Sequence, residues 1–243
     1  MPGSVPGAVS KPATLSLMGS PQKLRDDRRF PSSHPEWEMP ESGRHGRLCE
    51  LLFLVLRAAV GDASTVGKDH FVYYDRKDPR RCLAPDAFVK LGVPNHLVDS
   101  WKTWDLGVPE LCIEVLSPSD TEEKLTFREK LRRYNLLKNR ELVVFRADGK
   151  PGKRLRAWDR RGGHLIERVV LHERTACRTL GLDFAVVPDE ELGSTLRLFD
   201  REERLIPTPI EHERAARVST EERLARVEAE LAELRLAVAR ARR

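Results

Sequence analysis

Leu111-Cys112-Ile113-Glu114-Val115-Leu116 is an apolar run broken by one carboxylate. Such a run, bounded by Pro109 and Pro118, predicts a buried strand over 110–117. Side chains alternate across a strand, so Glu114 shares a face with Cys112 and Leu116, and Leu111, Ile113 and Val115 point the other way. A carboxylate there is costly unless it is paired, hydrogen-bonded or bound to a metal. A second acid stands upstream in Ala84-Pro85-Asp86-Ala87-Phe88-Val89, where Asp86 opens a strand over 86–91. Two acidic groups at neighbouring strand ends make an oxygen-rich site suited to Mg²⁺ or Mn²⁺. Taken alone, the pattern fits a structural ion pair better than a metal centre, because ion-pair networks also bury carboxylates.

Working outward, Leu48, Leu51, Leu52, Val55, Leu56 and Ala59 repeat at helical spacing, which predicts an amphipathic helix over 45–60 that stops at Gly61. Short strand-like segments follow at 70–74, 86–91 and 110–117. Helical spacing returns over 119–138, with Phe127, Leu131, Tyr134 and Leu137 on one side. Strands are then expected at 141–145, 154–158, 165–171, 184–187 and 196–199, with Arg160-Arg161-Gly162-Gly163 as a hairpin turn. Helix, strands, helix, strands predicts a mixed α/β sheet flanked by helices.

The 243 residues suit one sizeable domain with appendages. Forty per cent are apolar, enough for a core, so a wholly disordered or collagen-like chain is excluded. Residues 1–36 hold six of the 16 prolines, at 2, 6, 12, 21, 31 and 35, with many Ser and Gly, and read as a disordered leader before a domain over 37–210. Four cysteines without C-x-x-C spacing argue against a disulfide scaffold or zinc knuckle and suit a reducing, cytoplasmic setting. The longest apolar run, 51–56, is far short of a membrane span, and no signal-peptide pattern opens the chain. A net charge of +5 permits nucleic acid as a partner without demanding it.

The last segment, 211–243, is distinct. Leu224, Val227, Leu231, Leu234, Val238 and Ala241 alternate steps of three and four, the seam of a coiled coil. In a parallel pair, Arg223 would face Glu228 of the second copy and Glu230 would face Arg235, both opposite in sign. This predicts a homodimer through residues 220–243; the alternative is a helix folded back on its own domain.

Several blocks, in this order, resemble the Uma-two family of restriction-endonuclease-like proteins, part of the PD-(D/E)XK nuclease superfamily. They are Met39-Pro40-Glu41-Ser42 with His45; Asp69-His70-Phe71-Val72-Tyr73-Tyr74; Ala84-Pro85-Asp86; Pro109 to Ser119; Lys130-x-x-x-Tyr134; and Glu141-Leu142-Val143-Val144-Phe145. The resemblance spans roughly residues 39–200, and Glu114-Val115-Leu116-Ser117-Pro118-Ser119 is its most specific element. It implies a restriction-endonuclease-like mixed sheet flanked by helices. It also implies a divalent metal held by Asp86 and Glu114, with the Val115 carbonyl as a third ligand, and hydrolysis of a phosphodiester in nucleic acid, DNA by preference. The C-terminal coiled-coil tail is common in one branch of that family.

The chain departs from the superfamily pattern at Leu116, where Glu-x-Lys would place an ammonium. Lysine can be borrowed from the following helix, where Lys124 and Lys130 flank the apolar stripe. Lys130 is preferred because its spacing to Tyr134 matches the family; the plain alternative is a solvated helix lysine. Thr126 also departs, since the family more often has Asp. His45 matches a family position but reads equally well as a helix-start residue, Glu41 and Glu50 could supply a third carboxylate as in some relatives but read better as solvated, and Asp69 and His70 receive no role. The basic runs 128–133 and 150–161 would be phosphate contacts if the metal site is real, and otherwise solvated faces. The expected function is therefore a Mg²⁺-dependent endonuclease. The rival is a catalytically degenerate nucleic-acid-binding or assembly protein on the same scaffold, a reading that Leu116 favours.

Overall fold

The computed structural model describes residues 29–31, 42–95, 97–116 and 126–241. The first helix, α1 (Gly43–Val60), begins where Ser42 accepts a hydrogen bond from the His45 amide at 3.1 Å. Such a cap is worth about 1 kcal/mol. Leu48, Leu52, Val55 and Leu56 are buried along its face, each stabilising by about 1.5–3 kcal/mol. Gly61, with φ 63°, closes the helix as its spacing predicts.

The main sheet has six strands: β1 (Thr65–Gly67), β4 (Ala87–Lys90), β6 (Leu111–Leu116), β7 (Glu141–Arg146), β8 (Leu155–Arg161) and β9 (His164–Arg168), in the order β1-β4-β6-β7-β8-β9. Only β6 and β7 run parallel within it. A parallel pair needs a crossover, and α3 (Phe127–Leu137) lies between them in the chain. Gly67 pairs with Phe88, and a Cβ there would fall 2.1 Å from the Phe88 ring. The β8–β9 hairpin turns on Gly162 and Gly163, both with positive φ, as a two-residue turn of this hand requires.

A small sheet pairs β3 (Cys82–Leu83), β2 (Val72–Tyr73) and β5 (Trp101–Lys102), and α2 (Thr103–Leu106) follows directly. A third sheet joins β10 (Arg174–Cys177), β11 (Leu182–Asp189) and β12 (Gly193–Phe199). The alternation read from 111–116 sorts the layers. Leu111, Ile113 and Val115 join α1 and the β10–β12 sheet in one core, while Cys112 and Leu116 join Tyr134, Leu137, Val72 and Trp101 in the other. The fold is mixed α/β, with α1 packed on one face of the main sheet and α3 on the other.

Some expectations change. The helix expected from 119 begins at Phe127; 117–125, including Lys124, lie outside the described residues. Thr126 caps α3 by accepting from the Glu129 amide at 3.3 Å, which is the service an aspartate would give there. The strand expected over 165–171 ends at Arg168. Strands β1, β3 and β5 have only two or three residues each, too few to carry a period, and the sequence pattern marks no strand at β10.

Most of the predicted leader, with Trp37 and Glu41, lies outside the described residues. Phe30, which is described, is buried against Tyr73 and Trp104, with ring centroids at 5.2 and 5.0 Å. Trp101 and Trp158 are buried, in keeping with a packing role. The four cysteines are free and buried. The C-terminal helix, α4 (Pro209–Ala241), starts two residues before the expected 211, where Arg197 pairs with Glu211 at 2.7 Å. Leu224, Val227, Leu231, Leu234 and Val238 are all exposed, so the described chain does not fold its seam back on the domain. No described helix is long and apolar enough to cross a membrane.

Candidate active site

β4 pairs antiparallel with β6 through Ala87 and Ile113, and the pairing ends there. Asp86, one residue before β4, replaces the missing strand: its Oδ2 accepts from the Val115 amide at 2.6 Å. In an extended strand, a residue's N–H and C=O leave on the same side. The Val115 carbonyl therefore faces the edge where Asp86 sits. Glu114 is opposite Asp86 in the continued register and is 3% exposed.

Each carboxylate meets a different helix. From α3, Lys130 Nζ lies 3.0 Å from Glu114 Oε2, and the Tyr134 hydroxyl donates to Glu114 Oε1. From α1, His45 Nε2 lies 3.2 Å from Asp86 Oδ1. Lys130 and Tyr134 stand one turn apart, so both reach the same carboxylate. The structure thus brings together Asp86, Glu114, Val115 and Lys130, and it sets Tyr134 on Glu114 and His45 on Asp86. Lys124 lies outside the described residues. Glu50 pairs with Lys68 at 2.8 Å on the surface, in line with its solvated reading.

Electrostatics set this pair apart. Burial, reinforced by the Glu114 charge and partly offset by the hydrogen bond with His45, pushes the Asp86 carboxyl up to about 7. Burial and the Glu114 charge hold the Tyr134 phenol well above its usual value, so it remains a donor.

Whether a hard cation fits is decided by the donor set. An ionised carboxylate offers about four lone-pair sites. Among the described residues Glu114 uses two, on Lys130 and Tyr134, and Asp86 uses two, on Val115 and His45. Oxygen lone pairs remain on both acids, in a buried setting where their like charges disfavour each other. An all-oxygen set of this kind fits Mg²⁺ or Mn²⁺.

The basic runs are largely engaged internally. Arg132 pairs with Glu129 at 2.7 Å, Arg154 with Glu173, and Arg156 with Glu167 at 2.8 Å, while Arg160 donates to the carbonyls of Asn139 and Gly163. Fewer phosphate contacts are on offer than the sequence suggests.

Residues 35–189 match the family Uma2, described as "Putative restriction endonuclease". The chain belongs to this family. Asp86 and Glu114 both fall within the Uma2 match, as do Lys130 and Tyr134. No curated protein matches the chain. Among solved structures, it is similar to a "putative nuclease belonging to DUF820" from Anabaena variabilis, at 14% identity over 64% of this chain and 76% of that one, with a TM-score of 0.35.

Sequence alone leaves His45 open, because a histidine in the first turn of a helix, far in sequence from Asp86, is a slight signal. Cys49, one turn further on, carries no signal of its own; its Sγ lies 3.3 Å from His45 Nε2.

Proposed function

We propose that this Uma2 member is a Mg²⁺- or Mn²⁺-dependent endonuclease that hydrolyses phosphodiester bonds in DNA, with Asp86, Glu114 and the Val115 carbonyl as metal ligands and Lys130 as the catalytic cation. The convergence of the buried Glu114 and the part-buried Asp86 with the Lys130 ammonium carries this reading. Lys130 answers the objection raised by Leu116, because the charge expected two residues beyond Glu114 arrives from α3 instead.

A bound Mg²⁺ supplies a more acidic water and neutralises charge on the phosphate. The protein's own groups do the rest. Tyr134 and His45 fix the two carboxylates from opposite faces of the sheet. Lys130, 15% exposed, holds an ammonium beside Glu114, where it can orient the attacking water and offset charge building on the phosphate oxygens. Substrate phosphates would share in holding the cation, so Mg²⁺ is expected to bind weakly until DNA is present.

Self-association through 220–243 accompanies this reading. Five large apolar side chains on the seam, each worth about 1.5–3 kcal/mol, act against an ordering cost of about 1.5 kcal/mol per residue. Three heptads therefore supplement another contact rather than hold a dimer alone.

The deciding experiment is nicking of supercoiled DNA with Mg²⁺ by the full chain and by Asp86→Ala and Glu114→Ala, with Asp86→Asn and Glu114→Gln as gentler partners. Each is expected to abolish nicking while leaving the circular dichroism unchanged. Variants that cut as well as the parent overturn the assignment. A parent that binds DNA yet never cuts it supports the degenerate-scaffold reading.

A further inference from the structure

On the α1 side of Asp86 stand two donors of another kind. His45 and Cys49 are four residues apart, on one face of α1. His45 Nε2 lies 3.2 Å from Asp86 Oδ1 and 3.3 Å from Cys49 Sγ, and the three ligand atoms lie within 4.8 Å of one another. We propose that His45, Cys49 and Asp86 form a second, thiophilic metal site that takes Zn²⁺ or a similar transition ion.

Tetrahedral zinc, with bonds of about 2.0–2.3 Å, separates neighbouring ligand atoms by about 3.4–3.6 Å. His45 therefore needs only a few tenths of an ångström to open around an ion. A thiolate and an imidazole select zinc-like ions over Mg²⁺, which favours oxygen. Three protein ligands leave a fourth position for water. The first turn of α1 is pinned by Ser42, which accepts from the His45 amide and whose carbonyl accepts from Gly46 at 3.1 Å, so His45 is presented on a fixed backbone. Asp86, 13% exposed, is the most open of the three and gives the ion a way in.

Asp86 would then serve two kinds of cation, one on each side. Its Oδ1 turns to His45, and its Oδ2 accepts from the Val115 amide. Zinc held on the α1 side draws Asp86 away from its partner acid and places a like charge beside the Mg²⁺ position.

Titration of the full, reduced chain with Co²⁺ tests this. The expected result is one equivalent bound with a thiolate-to-cobalt charge-transfer band and intense tetrahedral d–d bands, erased by equimolar Zn²⁺ and retained at the same concentration of Mg²⁺. Cys49→Ser should lose the band and weaken Zn²⁺ at least about 100-fold, beyond the 10–100-fold cost of losing a supporting residue. Glu114→Gln should keep the band, and His45→Gln should lose it. Absence of the band in the parent, or its survival in folded Cys49→Ser, overturns the proposal. The readout is independent of DNA cleavage. A chain that shows the band but never nicks DNA fails the nuclease reading alone, and one that nicks without the band fails this one.

Discussion

Glu114 and Glu141 are both buried glutamates on the parallel pair β6–β7, yet they are held in opposite ways. Glu141 opens β7 and is surrounded by donors. Arg168 reaches it at 2.7 Å, the amides of Arg178 and Thr179 at 3.1 and 2.8 Å, and the Thr179 hydroxyl at 2.7 Å. Those four bonds fill the lone pairs a carboxylate has to offer. Glu114, near the other end of the pair, has one ammonium and one phenol, and its neighbour is another acid. The first arrangement ties the main sheet to the β10–β12 sheet through Arg168, which also bonds Thr175 at 2.9 Å. The second leaves coordination capacity. Burial alone does not distinguish the two acids; the number of donors around each does.

The largest expected effect breaks this contrast on the side of stability. Glu141→Ala takes from the buried Arg168 guanidinium one of its two carboxylate partners, Asp159 being the other, and strips the acceptor from the Arg178 and Thr179 amides; removing one member of a buried pair costs about 3–5 kcal/mol. Glu114→Gln keeps an oxygen for Tyr134 and removes a charge that sits beside Asp86, so its stability should stay within about 1 kcal/mol of the parent. Urea unfolding of the two variants, read as a shift in midpoint, checks this. If Glu114→Gln is the more damaging, the roles of the two acids are reversed.

Next comes Lys130. Lys130→Met removes the only ammonium that meets Glu114 among the described residues, and nicking should fall about 10²–10³-fold, the cost of losing one preorganised charge or donor at a reacting group. Lys130→Arg should recover part of the rate. Single-turnover nicking at saturating Mg²⁺ measures it. A variant that loses stability but keeps its rate would make Lys130 a structural partner of Glu114, as Arg168 is of Glu141.

How much of this was legible in the sequence follows the same division. Glu114 stands out because a charge inside an apolar run has to be explained, and alternation correctly assigns the two faces of β6. Helical spacing puts Tyr134 on the apolar stripe of α3 with Lys130 beside it, and the resemblance to the family, through its Lys-x-x-x-Tyr spacing, is what prefers Lys130 to Lys124. Glu141 begins an apolar run and reads only as a strand boundary. Its donors arrive 27 to 38 residues later along the chain, from strand ends and a turn whose contacts obey no period. Cys49 is hidden for a related reason: the helical stripe that places α1 also makes a cysteine look like ordinary core. The two- and three-residue strands of the small sheet and the edge strand β1 exist because neighbours pair with them, and local sequence carries little of that.

The finest test uses a third acid, Glu173, which resembles Glu141 in its donors but sits nearer the surface. It accepts from the amides of Gly152 and Arg154 at 2.8 and 3.2 Å and pairs with the Arg154 guanidinium, tying the β7–β8 turn to the start of β10. The guanidinium, helped by those amides, holds the Glu173 carboxyl below its ordinary value of 4.5. A carboxyl depressed in the folded state contributes stability that is complete above its unfolded value and is lost as pH falls through its folded value. Glu173→Gln should therefore cost about 1–2 kcal/mol at pH 7, where a charged hydrogen-bonding partner is lost, and progressively less as the pH drops below about 4. Unfolding curves for the parent and the variant at pH 7 and pH 3 should converge at the lower value. If the gap is the same at both, the contribution of Glu173 is packing and not charge. The donor census would then have to be abandoned as the measure that separates structural acids from the pair at Asp86 and Glu114.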